Sequence, residues 1–491
     1  MEKIEFLAAK NGSLSCKYDG KALHSLYNPD NEGERFASSI IADFNPKIIT
    51  LIEPCIGYCI PQIKKIFPDA KIAVIHIHKD FIQYDKEADY SFLFEDSLEF
   101  ETKYFEAFGE EAVYSTLFIN WEPAAKCFSK ETEQVWKSIK NILNKAVSIL
   151  YTHDFFAKRW IKNSIKISSN IKQTAILPKI KSPVVITASG PSLTSSIPSL
   201  KKYRNKIFLI AVSSSLSVLD NYGITPDLVI STDGGFWAKK HLETLLKENI
   251  PLALSCEGNC PTKILTQNPV IPLIFSDGIE STILKKITDC TLKAERNGTV
   301  SGTAVELALS LTDKDVFCFG LDLFPGKGKQ HADPNIIENS NQIKDCKINS
   351  KETRINRSRF NAGSLKIYET WFETRTEPKW TRCFRVSKKG ELKNQLGKIQ
   401  DIDISDFENL IKNLENYTYN VQTKNISGDY KKTISNFIKN TDYQTWKKFA
   451  FPLDSINIEK SKNIQDKEKL ENKIKLEIDN FIKSLEKIYN A

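Results

Sequence analysis

The chain has 491 residues, 41% hydrophobic and 26% charged, with a formal charge of +8. That is too long for one ordinary domain and describes a soluble globular protein of two or three. The charge is mild and carries no dense Lys/Arg block with interleaved aromatics, which argues against nucleic acid as a partner, and no apolar run reaches the roughly 18 residues that a membrane span needs.

The N-terminus Met1-Glu2-Lys3-Ile4-Glu5 lacks the basic region and apolar core of a secretory signal. The ten cysteines follow no regular framework. Several, such as Cys318, lie inside apolar runs, where a reduced thiol acts as a small hydrophobe. A cytoplasmic location is expected. Cys55/Cys59 and Cys256/Cys260 are the nearest to metal spacing, but neither pair has a second half.

In chain order, residues 47–52 predict a buried strand, 60–67 a helix and 71–78 a second strand. Strand, turn, helix and strand begin a parallel α/β sheet. The turn between them has one glycine where a dinucleotide fingerprint has three. His76 and His78 fall on one face of the second strand. They read either as a ligand pair or, the commoner case, as packed and hydrogen-bonded histidines. A second α/β unit begins near Pro183, with apolar strands predicted at 184–187, 207–212, 228–232, 252–255, 270–275 and 316–321. Continuous apolar runs mark strands buried on both faces, whose carboxyl ends are where ligands sit. Beyond about residue 400 the chain turns rich in Lys, Asn, Ile and Glu. Ile474, Ile478, Phe481, Leu485 and Ile488 form one apolar helical stripe, which either packs on its own chain or meets a partner helix.

Two junctions carry the candidate chemistry. Ser189-Gly190-Pro191-Ser192 follows the strand at 184–187, and Gly298-Thr299-Val300-Ser301-Gly302-Thr303 opens a helix. Helix-initial N–H groups lack internal acceptors and face the positive end of the dipole, so phosphate binds there. Each also reads as an ordinary capped helix start. Ser214 and Asp233 end the next two strands, where hydroxyl and acidic groups suit ribose and base recognition; Asp233 alternatively caps a turn. Asp322 ends the strand at 316–321, and His331 lies in the glycine- and lysine-rich loop beyond it. Both are candidates for activating a hydroxyl nucleophile.

This ordered set resembles the motility accessory factor (Maf) flagellin glycosyltransferases, whose central domain is shared with 6-hydroxymethylpterin diphosphokinases of the MptE type. The resemblance runs over roughly residues 20 to 400. It rests on His24-Ser25-Leu26-Tyr27-Asn28-Pro29 with Glu34-Arg35, the loop at Ser189, Gly223-Ile224-Thr225-Pro226-Asp227 with Asp233, the loop at Gly298, and Gly320-Leu321-Asp322 with His331-Ala332. The central domain is also similar to that of bacterial CMP-sialic acid sialyltransferases. Three positions depart from the pattern: Ala188 and Asn297 stand where glycine is usual, and Leu321 where glutamine is.

The resemblance implies a central Rossmann-like, sialyltransferase-like parallel-sheet domain at 151–400. A smaller N-terminal α/β domain would occupy 1–150 and a helical C-terminal region 401–491. It implies a CMP-sugar donor and no other cofactor, with a metal-independent reaction. The nucleotide would be held by Ser189, Gly190, Pro191, Ser192, Ser214, Asp233, Gly298, Thr299, Ser301, Gly302 and Thr303. Asp322 and His331 would serve the acceptor. The implied activity is transfer of a nonulosonic acid, of pseudaminic or legionaminic type, from CMP to Ser or Thr of flagellin. The alternatives are a pterin diphosphokinase and a non-catalytic flagellin-binding chaperone.

Overall fold

The structure is a computed structural model describing residues 4–85, 87–275, 278–324, 329–348, 350, 353, 363–426 and 430–490. It divides into two compact units, one of residues 1–157 with 442–480, the other of 158–441 with 481–491. This is not the expected three-way division. The residues after 401 form no unit of their own, because their apolar positions are covered by earlier elements. Phe407 joins the core of the second unit. Asn45 donates its N–H to the Lys460 carbonyl and Lys47 pairs with Glu459 in the first.

The first unit opens with an antiparallel hairpin sheet of β1 (Ile4–Ala8), β2 (Leu14–Tyr18) and β3 (Lys21–Ala22). A parallel four-stranded sheet follows, built of β4 (Ile48–Ile52), β5 (Lys71–His76), β6 (Tyr90–Leu93) and β7 (Thr116–Asn120) in the order β6-β5-β4-β7. His76, at the end of β5, takes the hydrogen-bonded reading. Its Nδ1 lies 2.9 Å from Oε1 of buried Glu53 and its Nε2 lies 2.8 Å from Asp85. Burial alone would lower its pKa; the two carboxylates outweigh burial and push it up to about 9.

In the second unit β8 (Gln173–Ile176) pairs with β18 (Gln422–Asn425). Between them lie β9 (Val184–Thr187), β10 (Phe208–Val212), β11 (Leu228–Ser231), β12 (Leu252–Ser255), β13 (Val270–Ile274), β14 (Leu292–Lys293), β15 (Val316–Phe319), β16 (Cys383–Ser387) and β17 (Gln400–Asp403). These nine strands form one parallel sheet in the order β14-β13-β12-β11-β10-β9-β15-β16-β17. Alternate residues feed two cores. Val185, Leu209, Val229 and Phe317 face one side, and Val184, Phe208, Leu228 and Val316 the other. The chain steps outward from β9 to β14, then returns to place β15 on the opposite side of β9. That reversal opens a crevice beyond the carboxyl ends of β9 and β15.

The C-terminal stripe lies in a helix spanning Ile464–Asn490, with Ile474, Ile478, Phe481 and Leu485 buried. Among the described residues no helix is long and apolar enough to cross a membrane.

Candidate functional site

The loops after β9 and β15 interlock at the crevice. Gly190 donates its N–H to the Gly320 carbonyl at 2.8 Å, as Ala188 does to Phe319. Gly320 sits at φ +70°, and a Cβ there would lie 2.7 Å from the Ala188 carbonyl. Glycine is required at this point by both conformation and space. Ala188, where glycine is usual, packs its methyl group into the core on one face of the sheet.

Asp322 is 2% exposed. It accepts the Ser192 N–H at 2.8 Å through Oδ2, and the Ser192 hydroxyl donates to its other oxygen. Burial raises its pKa, against the pull of these Ser192 donors and of Arg385. The residue that opens the helix Leu193–Lys202 thus gives its N–H to a carboxylate, and Leu193 gives its own to the Gly190 carbonyl. Gly190 and Ser192, expected to aim N–H groups at a phosphate, instead lock the first loop to the second strand end. Beside this lock a hydroxyl pair forms: Ser214 donates to the Ser189 oxygen at 2.8 Å. Pro191 contributes no N–H and sits in the turn between them.

The helix Val300–Leu311 brings the second loop to the same edge. Its last residue accepts from the Ile180 N–H, just before β9 begins, so its C-terminus lies at the amino ends of the strands and its N-terminus at their carboxyl ends. Asn297 builds this helix start. Its side-chain oxygen accepts the Thr299 N–H at 3.0 Å and its amide donates to the Thr303 hydroxyl at 3.1 Å. The Thr299 hydroxyl caps the Ser301 N–H at 3.3 Å. The departure from glycine at 297 thus supplies a scaffold. Gly298 takes φ +74°, and a Cβ on Gly302 would meet the Trp371 ring at 2.9 Å. The first-turn N–H groups of Val300 and Gly302 have no helical acceptor.

Asp233 is exposed and caps its own turn through the Gly235 N–H at 2.8 Å. Tyr368, from the helix Gly363–Glu373, lies against Gly298, with its phenol raised by burial and by Asp233. Asp233, Tyr368 and the second loop therefore border one space. Behind that loop Arg296 grips Glu257 in a bidentate pair at 2.7 and 2.6 Å and lies over the Trp160 and Phe275 rings.

Residues 325–328, the glycine- and lysine-rich part of the loop before His331, lie outside the described residues. From there Ala332 donates its N–H to the Ser189 carbonyl at 2.8 Å, and buried Asn335 donates to the Ser214 carbonyl at 3.1 Å. The segment after His331 is thereby tied to the Ser189 and Ser214 backbone, and the His331 Nδ1 lies 3.4 Å from Glu338. Nearby His241 is 4% exposed, and its Nδ1 has no hydrogen-bond partner among the described residues. Burial, then the charge of His331, pushes its pKa down to about 4.

Tyr368, Trp371, Asn335 and Glu338 were not legible as site residues from sequence, since none of them belongs to a motif and tertiary packing alone brings them to the loops. Among the described residues no group of three or more His, Cys, Asp or Glu is placed to hold a metal ion.

Residues 158–326 match the sequence model of the family described as 6-hydroxymethylpterin diphosphokinase MptE-like. That stretch holds β9 to β15 and both loops and stops short of His331. Two curated proteins of Treponema pallidum (strain Nichols), both uncharacterized, are similar to the chain. One is 27% identical over 282 residues, 57% of this chain and 61% of the relative; the other is 24% identical over 214 residues, 42% and 37%. The chain thus spans 61% and 37% of the lengths of these relatives. Among solved structures, that of MAf glycosyltransferase from Magnetospirillum magneticum AMB-1 covers 100% of this chain and 93% of its own, with a TM-score of 0.54 at 11% identity. The class is therefore an α/β fold with a large parallel sheet carrying an MptE-like segment. The particular fold is that of the Maf glycosyltransferase, as the sequence resemblance implied.

Proposed function

We propose that the chain is a glycosyltransferase that moves a nonulosonic acid, of pseudaminic or legionaminic type, from its CMP conjugate to Ser or Thr of flagellin in the cytoplasm. One observation carries the reading. On a fold shared with a Maf glycosyltransferase, a hydroxyl pair after β9 and β10 and a capped helix start stand at the same carboxyl edge of the sheet, where the strand order reverses. The departing CMP phosphate gains negative charge as its bond to the sugar lengthens. Preorganised donors stabilise that charge without reorganising. Ser189, Ser214, Ser301 and the first-turn N–H groups of the second loop are the donors available. Gly190, Pro191, Ser192 and Asp322 hold the first loop in shape; Gly298, Thr299, Gly302 and Thr303 do so for the second. Asp233 and Tyr368 suit the hydroxyls of a ribose or the amine of a cytosine. His331 takes the acceptor proton. The donor is a substrate, and no metal or further cofactor is needed.

The match of residues 158–326 to the MptE-like family favours one second reading, a pterin diphosphokinase using ATP. Calorimetry with CMP and with ATP, each with and without Mg²⁺, tests the choice. Metal-independent CMP binding, weakened at least tenfold by Ser214→Ala with Ser189→Ala, is expected. Mg²⁺-dependent ATP binding with none to CMP would overturn the transferase reading.

A further inference from the structure

The segment that follows His331 is anchored twice to the carboxyl edge of the sheet, through Ala332 to Ser189 and through Asn335 to Ser214. The His331 ring is 21% exposed, and Nδ1 lies 3.4 Å from Oε1 of Glu338, whose side chain is 3% exposed. That same oxygen accepts the N–H groups of Gln330 at 3.0 Å and His331 at 3.2 Å. Burial alone would raise the Glu338 acid, but the His331 ring and these two N–H groups hold it below its ordinary value. An ionised carboxylate has no hydrogen to give, so the hydrogen between the two side chains sits on Nδ1. In the neutral ring the lone pair is then on Nε2.

We propose that Glu338 is a positioning residue that fixes His331 as the Nδ1–H tautomer, so that Nε2 accepts the proton of the acceptor hydroxyl. The catalytic half of this proposal rests on the transferase reading above. In the step, the acceptor oxygen bonds to the anomeric carbon. The bond from that carbon to the phosphate oxygen breaks, its electron pair staying on the phosphate, and the acceptor proton ends on Nε2. The other candidate base, Asp322, has both oxygens engaged by Ser192. Neighbouring His241 is neutral and sets no positive charge against the imidazolium that forms.

The chain has six histidines, so ring-¹⁵N-labelled protein resolves the tautomer directly, with the His331 signals identified by their loss in His331→Asn. The wild type is expected to give the Nδ1–H pattern at His331. Glu338→Gln keeps an oxygen for the two backbone N–H groups but removes the charge. With the charge gone and only a neutral acceptor left, the preference for Nδ1–H weakens, and the His331 ring is expected to become a mixture of tautomers while the other five rings keep their signals. In the transfer assay Glu338→Gln is expected to lower kcat on the order of 10- to 100-fold with the donor KM within about twofold, and Glu338→Asp is expected to recover part of the loss. An Nε2–H pattern in the wild type overturns the proposal, as does an unchanged tautomer or an unchanged kcat in Glu338→Gln. An Nδ1–H ring in a chain that transfers no sugar refutes the transferase reading and the catalytic half with it, while the tautomer assignment stands.

Discussion

Replacing Gly190 by alanine strikes the contact on which the crevice is built. The added Cβ would lie 2.5 Å from the Gly320 carbonyl oxygen and 2.7 Å from both Cγ and Oδ2 of Asp322. Neither neighbour is the free end of a flexible side chain: one is backbone at φ +70°, the other a buried carboxylate pinned by Ser192. Relief requires the two strand ends to part by roughly 0.5–1 Å, which weakens the Gly190–Gly320 and Ser192–Asp322 hydrogen bonds together. A neutral bond contributes about 1 kcal/mol and one to a charged group about 1.5–3. The expected loss is therefore about 3 kcal/mol, as for other overpacked sites. Urea unfolding reads this loss, and calorimetry with CMP should show binding weakened at least tenfold. Ser189→Ala, which removes a hydroxyl without crowding, should cost no more than about 1.5 kcal/mol. A Gly190→Ala chain with wild-type stability and wild-type CMP affinity would refute the reasoning.

Three further outcomes are expected. His76 is raised from 6.5 to about 9, so its contribution is fully present below about pH 6.5 and is lost as pH rises through about 9; the full effect is on the order of 3 kcal/mol. The wild-type and His76→Gln stabilities should converge between pH 6.5 and 9.5, and a constant difference would contradict the assignment. Arg385 is fully buried and pairs with half-exposed Asp401 at 2.7 and 2.8 Å. Asp401→Ala leaves the buried guanidinium with neutral oxygens of Asn394 and Leu321 but no carboxylate, and should cost about 3 kcal/mol, more than Arg385→Met, which leaves only a carboxylate that water reaches; denaturant midpoints of the two variants decide the order. Asn297→Ala removes two hydrogen bonds from the second loop and should cost about 1–2 kcal/mol in the same assay, with CMP affinity falling alongside.

The strands of the second unit were legible because burial on both faces writes them as continuous apolar runs: 184–187 and 252–255 coincide with β9 and β12. β16 and β17 were not. Cys383-Phe384-Arg385-Val386-Ser387 carries a charge that reads as a break, and Gln400-Asp401-Ile402-Asp403 reads as a loop. In the sheet Arg385 and Asp401 are partners across adjacent strands, so each cancels the feature that disguises the other. The loop motifs marked the right junctions but not their use. Local sequence shows that Ser192 begins a helix; it does not show that Asp322, 130 residues away, occupies its N–H. Likewise Asn297 read as a lost glycine, and only its bonds to Thr299 and Thr303 reveal a scaffold. Tyr368 and Glu338 reach the site through tertiary packing, which no local pattern records.

The account is tested most directly by the intact mass of flagellin after incubation with the purified chain and a CMP-nonulosonic acid, without added metal. A mass gain of whole sugar units, abolished by Asp322→Ala through collapse of the interlocked loops and by His331→Asn through loss of the base, is predicted. Flagellin that binds the chain yet gains no mass with any nonulosonate donor would contradict it and leave a flagellin-binding chaperone in its place.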